Sequence, residues 1–119
     1  MKTKTLTTII LIIAALNAQA QDNIPQPPIA AMIACGTQAD IMRGAASFRD
    51  YGRPESEVIE VEMQNRYKGF PADDIQVKGM KAAISMVYHL DPYRLMPPLA
   101  VREYAYRDCM NYFQENGAK

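Results

Sequence analysis

The sequence predicts an all-α domain, a small four-helix bundle-like fold with one disulfide, following a cleaved signal peptide. Three observations lead there. Apolar residues recur at steps of three and four in successive stretches, which is the helical period. Gly, Pro and Asp punctuate those stretches where helices stop and start. Two cysteines, Cys35 and Cys109, lie near the two ends of the helical region of a 119-residue chain, and an even count in an exported chain favours a disulfide.

The first element is the export signal, residues 1–20. Met1-Lys2-Thr3-Lys4 is a positive n-region, Leu6 to Leu16 an uncharged apolar h-region, and Asn17-Ala18-Gln19-Ala20 a small-residue site for cleavage before Gln21. The block is too short for a membrane span, which needs about 20 continuous apolar residues. Met32-Ile33-Ala34-Cys35-Gly36 resembles a lipoprotein processing site on its surface. Asp22, Pro25, Pro27 and Pro28 interrupt the apolar run that such a signal requires. Residues 21–28 read instead as a Pro-rich, flexible lead-in, and residues 29–119 as the helical domain.

Within that domain, Ile29, Met32, Ile33, Ile41, Met42, Ala45 and Phe48 set a first helix from Ile29 to Tyr51. Gly36 and Gly44 each weaken it by about 1 kcal/mol relative to Ala and mark where a break or a close helix–helix contact would fall. Gly52-Arg53-Pro54 stops it and starts a second helix, with Gly at C′ and Pro in the first turn. Glu55 and Glu57 then sit where the helix dipole favours negative charge. Val58 to Met63 alternates enough to pass for a strand. A lone strand would leave its backbone unpaired, so helix is the expectation. Gly69-Phe70-Pro71-Ala72 is a turn. Asp73 and Asp74 open a third, amphipathic helix through Ile75, Met80, Ala83, Ile84, Val87 and Tyr88, with Lys78, Lys81 and Ser85 facing away. Asp91-Pro92 ends it, and Tyr93 to Pro98 is a linker. The fourth helix runs from Pro98 to Glu115. One of its stripes is Val101, Ala105, Cys109 and Tyr112; the neighbouring one is Leu99, Tyr106, Met110 and Phe113.

Charge narrows the function classes. Loss of Lys2 and Lys4 from thirteen basic residues leaves eleven against thirteen acidic ones. No basic excess exists to meet nucleic-acid phosphates, and no polybasic run would hold an anionic membrane. Protein partners and small ligands stay open.

The chemistry-bearing residues read mostly as structural. His89 is the single histidine. Ser85 lies four residues before it on one helical face, yet no nucleophile elbow surrounds the serine. A histidine favoured at a helix C-terminus is the simpler reading. The methionines, Met86 three residues before His89 among them, are scattered rather than clustered as copper ligands would be, so they read as core filler. The carboxylate pairs Glu55/Glu57, Glu60/Glu62 and Asp73/Asp74 fit first turns and solvated faces better than a glycosidase cleft. Cys35 and Cys109 lack CxxC spacing and basic neighbours to lower a thiol pKa, so a structural staple is expected. Tyrosine is enriched, and Tyr104 and Tyr106 cannot both face the core from one helix. With Arg102 and Arg107 they form the expected partner-binding patch, since Tyr and Arg are preferred interface anchors. No catalytic residue, metal ligand or cofactor site is assigned.

Met86-Val87-Tyr88, then Pro92, Pro97-Pro98, Tyr104 and Cys109, together with Arg43-Gly44 and Phe48-Arg49-Asp50-Tyr51-Gly52, resemble the pattern of small exported helical proteins of proteobacteria. That resemblance implies a binding role. Some such proteins are immunity proteins that block a cell-wall-degrading toxin; others are acid-stress chaperones of the HdeA type, similar in size and with a single disulfide. No motif is diagnostic of either, so the resemblance carries no functional residue over. The expectation is a non-enzymatic, periplasmic or secreted protein-binding protein; its sharper version is an immunity or inhibitor protein, with a homodimer as the oligomeric form considered. The alternatives are a stress chaperone and a small-ligand or metal carrier.

Overall fold

The computed structural model describes residues 29–117, and within them the chain is all-α, a compact helical bundle with one disulfide. The expected signal peptide and lead-in, residues 1–28, and the last two residues lie outside the described residues. The helices are α1 (Ile29–Asp50), α2 (Glu55–Gln64), α3 (Ile75–His89) and α4 (Pro98–Tyr112). A 3₁₀ turn, Tyr93–Leu95, joins α3 to α4, and a π-helical turn, Phe113–Gly117, follows α4.

Side-chain links fix the directions. The C-terminal ends of α1 and α3 meet, because the Arg49 guanidinium donates to the Val87 carbonyl at 2.9 Å. These two helices therefore run parallel. Helix α4 runs the other way along α1: near its start Arg102 reaches Asp40 at 2.9 Å, and near its end Cys109 is bonded to Cys35. Helix α2 also runs opposite to α3. The Tyr88 hydroxyl, near the end of α3, donates to the Arg53 carbonyl just before α2 at 2.8 Å. The long helix α1 is the hub and packs on all three others, most extensively on α4.

The core is built from small residues at one end and larger ones at the other. Helix α1 turns Ala31, Cys35, Ala39, Met42 and Ala46 inward, steps of three and four on one face. Ile41 and Ala45 widen that face toward its C-terminus. Opposite them lie Val77, Met80, Ala83, Ile84 and Val87 of α3, Val101 and Ala105 of α4, Val58 of α2 and the ring of Tyr93.

Several local expectations need correction. Helix α1 has no break at Gly36 or Gly44, and a methyl group added at either would meet nothing within 4 Å, so neither marks a close helix contact. Burial of the alanine face and the following Ile41 and Met42 outweighs the two glycine penalties. Ile29 and Ile33 are 69% and 64% exposed, because the smaller Ala31 and Cys35 hold the inner face. Ile75 is 79% exposed for a similar reason. Val77 leads the buried stripe of α3, and two residues earlier is about 160° away around a helix. The Tyr93–Pro98 linker is not merely a linker, since Tyr93 in it is a core residue. Pro54 is the N-cap of α2, one residue before the first turn. Other signals hold as read. Gly52 adopts the left-handed conformation expected at C′, with φ of 77°. Asp74 caps α3, its carboxylate accepting from the Gln76 amide at 2.7 Å.

Candidate functional site

The four sequence-predicted contact residues all lie on α4, but they do not gather into one patch. Residues on a helix advance by about 100° each, and the buried stripe runs through Val101 and Ala105. Arg102 and Tyr106 therefore fall on one flank of that stripe and Tyr104 on the other. Arg107 stands between them at the crest, exposed. The result is a convex ridge, with a tyrosine on each shoulder.

Both shoulders are held in place. On one, the Arg102 guanidinium donates to the Asp40 carboxylate of α1 at 2.9 Å. Tyr106, half-buried beside it, packs against the core. On the other, the Tyr104 ring meets the buried Tyr93 ring edge-on, centroids 5.3 Å apart, a favoured aromatic geometry. Leu99, 65% exposed, lies one turn before Arg102 and Glu103 and extends the Tyr106 shoulder. The apolar period places Leu99 in the same stripe as Tyr106 and gives no sign of its exposure.

Tyr93 is the one strongly perturbed titratable group in this region. Burial raises its hydroxyl pKa to about 12, with the nearby Asp108 carboxylate and Tyr104 adding to the shift. The folded state thus favours the neutral phenol. An unfolded tyrosine ionises near pH 10, so this contribution is complete below pH 10 and is lost as pH rises toward 12. Unfolding monitored against pH should show stability falling between pH 10 and 12. Tyr93→Phe should flatten that decline, leaving the smaller contributions of Tyr67 and Tyr88, which burial also raises.

The remaining candidates fall elsewhere. His89 ends α3, and its Nε2 lies 2.7 Å from a Glu55 carboxylate oxygen at the start of α2. The pair clips those two helix ends together beside the Tyr88–Arg53 bond. Glu57 pairs with Arg53, and Glu62 with Arg66, both one helical turn apart. Such exposed i,i+4 pairs contribute a few tenths of a kcal/mol, on the order of 0.3–0.5. Met42 and Met80 are buried, and Met63, Met86 and Met96 pack around the core. Among the described residues no group of three His, Cys, Asp or Glu is placed to hold a metal ion. Among the same residues no helix is long and apolar enough to cross a membrane.

Two features went unread in the sequence. Arg49 lies near the end of α1 with its side chain largely buried, and it donates to three carbonyls: Val87 at 2.9 Å, Tyr93 at 3.0 Å and Met96 at 2.5 Å. The other is a furrow between the N-terminal halves of α1 and α3, about 530 Å³, lined mainly by apolar and small side chains. Its signal was present: an inward face of Ala31, Cys35 and Ala39 forces the large Ile29 and Ile33 outward.

Fold and surface together define a small, disulfide-tied, all-α domain with a tyrosine- and arginine-bearing ridge. No family model matches the chain, and neither a curated protein nor a solved structure matches it.

Proposed function

We propose that this chain is an exported, non-enzymatic protein that acts by binding another protein, as an immunity or inhibitor protein does, and that the α4 ridge makes the contact. The observation that carries the reading is the prior ordering of the ridge's anchors. Asp40 holds Arg102, and Tyr93 holds Tyr104. Immobilising a rotamer-rich side chain on binding costs about 0.5–1.5 kcal/mol. Here part of that cost is met in the free protein, which raises affinity for a partner of matching shape. A convex ridge suits a concave partner, such as the cleft of an enzyme. The Cys35–Cys109 bond agrees with an oxidising compartment outside the cytoplasm.

Affinity capture from periplasmic extract, followed by titration calorimetry on the captured protein, tests this. One partner should bind in a fixed ratio. Alanine at Arg102, Tyr104 or Tyr106 should weaken binding by about 2 kcal/mol or more at a true hot spot, a roughly 30-fold loss, while Lys78→Ala on α3 should leave it unchanged. Suppression of client aggregation at acid pH with no single stable partner would replace this reading with the chaperone one.

A further inference from the structure

The two sulfurs of the Cys35–Cys109 bond stand in different surroundings. Cys35 is 0% exposed, on the inward face of α1, with Ala31 and Ala39 buried one turn to either side. Cys109 is part-exposed. It borders a cavity of about 340 Å³ together with Gln38 of α1, Asp108 and Tyr112 of α4, and Phe113. Thiol–disulfide exchange begins when a thiolate strikes one sulfur of the bond and expels the other. The incoming sulfur arrives in line with the bond, from behind the atom it attacks. An approach to Cys35 would have to come through the packed core, where voids larger than a water molecule are few. An approach to Cys109 starts from the surface.

Two further features govern the exchange. The first is the leaving group. A thiolate expelled on Cys35 would lie on a buried alanine face, in a stretch of α1 with no charged residue before Asp40. An unpaired charge in such a place is costly, which slows every attacking thiol alike. The second is Asp108, whose side chain borders the same cavity, while Gln38, Tyr112 and Phe113 carry no charge there. Arg107 is two residues before Cys109, about 200° around the helix, and faces away. An incoming thiolate therefore meets a carboxylate of its own sign. A second negative group on the reagent is repelled further, and a positive one is drawn in.

We propose that Cys109 is a thiol-exchange site, the sulfur at which small thiols enter the staple, with the Asp108 carboxylate selecting against anionic ones. In the first step the thiolate forms a bond to the Cys109 sulfur as the Cys35–Cys109 bond breaks. The electron pair of that bond leaves on Cys35, which takes up, by way of water, the proton the small thiol gave up. A second molecule of thiol then attacks the small-thiol sulfur of the mixed disulfide. Cys109 departs and is protonated in turn. One cystine is reduced to two thiols, and two small thiols are oxidised to their own disulfide. Between the steps the small thiol is carried on Cys109, and α1 and α4 have no covalent tie. None of this depends on the partner-binding reading of α4.

The test uses the oxidised mature chain and three monothiols: mercaptoethylamine, mercaptoethanol and mercaptoethanesulfonate. Besides the sulfur they carry a positive charge, no charge and a negative charge. Each rate is taken per thiolate and divided by the rate for the same chain in concentrated urea, which cancels the reagent's own reactivity. The ratios should fall in that order by roughly threefold per step, the scale of exposed charge interactions. Asp108→Asn should remove most of the spread. Acid quenching early in the reaction, followed by mass spectrometry of the peptides, should find the small thiol on Cys109 and a free thiol at Cys35. In urea both cysteines should carry it. Comparable adducts on Cys35 and Cys109 of the folded chain overturn the proposal, since exchange would then run through unfolding. So does the lack of any adduct on the folded chain, or a spread of rates that Asp108→Asn leaves unchanged.

Discussion

Removing the Cys35–Cys109 bond, by reduction or by replacing both residues with alanine, is expected to cost about 4 kcal/mol of stability. The cysteines are 74 positions apart. In the chain-entropy account a loop of that size, once closed, withdraws roughly 4 kcal/mol of conformational freedom from the unfolded chain. Domains of this size have net stabilities on the order of 5–15 kcal/mol, so the loss takes a large share. Thermal unfolding followed by circular dichroism should show the midpoint fall by roughly 15–30 °C, at about 4–8 °C per kcal/mol. The damage should also be uneven. The bond lies at the end of the bundle where α1 is lined with alanines and the α1–α3 furrow is open. Hydrogen exchange on the reduced protein should therefore accelerate first in residues 29–38 of α1 and in the last turn of α4. The amides around Met42, Ile84 and Val87 should keep their protection longest. Uniform acceleration along the whole chain would contradict this placement.

Arg49→Met is expected to produce the second-largest loss, about 3 kcal/mol. A hydrogen bond to a charged group contributes on the order of 1.5–3 kcal/mol. The Arg49 guanidinium makes three to part-buried carbonyls beside Asp50 at 3.1 Å. Bonds sharing one cation do not add, and the freed carbonyls regain water, which brings the net loss to about 3 kcal/mol. One of those acceptors, Val87, belongs to the last turn of α3, where carbonyls have no partner within the helix and a cation is favoured by the dipole. The other two belong to the 3₁₀ turn and its exit. Arg49 thus caps one helix and pins the connection to the next in one stroke. Arg49→Lys should recover little, because an ammonium is a compact point charge and lacks the planar fork that spans carbonyls on two segments. Urea denaturation should show the midpoint drop for both variants with the slope unchanged, the sign of altered stability at constant exposed surface. A lysine variant as stable as the wild type would show that charge alone, without the fork, is enough.

The sequence made some of these features readable and hid others for definite physical reasons. Helix number, order and rough bounds followed from periodicity and from local stop signals such as Gly52 and Asp74, which act within a few residues. The disulfide follows from cysteine count and from the expectation of export. The inward face of α1 is hard to read because hydropathy favours large apolar residues over small ones: Ile29 and Ile33 are the more apolar, yet Ala31, Cys35 and Ala39 make the contact. Arg49 could not be singled out, since its partners lie 38 to 47 positions downstream and are backbone carbonyls, which every residue has. The residues of α4 proposed for partner contact stand out by type alone, as tyrosines and arginines. Their spread around the helix follows from its 100° step, which residue type alone does not express.

The disulfide has one further consequence, for cleavage of the chain. Every residue between Cys35 and Cys109 lies inside a closed covalent loop. The segment from Asn65 to Asp73 is the longest connection within that loop, and all of it except Tyr67 is exposed, the kind of site where proteases cut. A single cut there leaves two fragments that stay joined, α1 and α2 on one and α3 and α4 on the other. Nicked protein would run as two bands only after reduction. In an environment rich in proteases, the bond makes the integrity of the molecule independent of the integrity of its backbone.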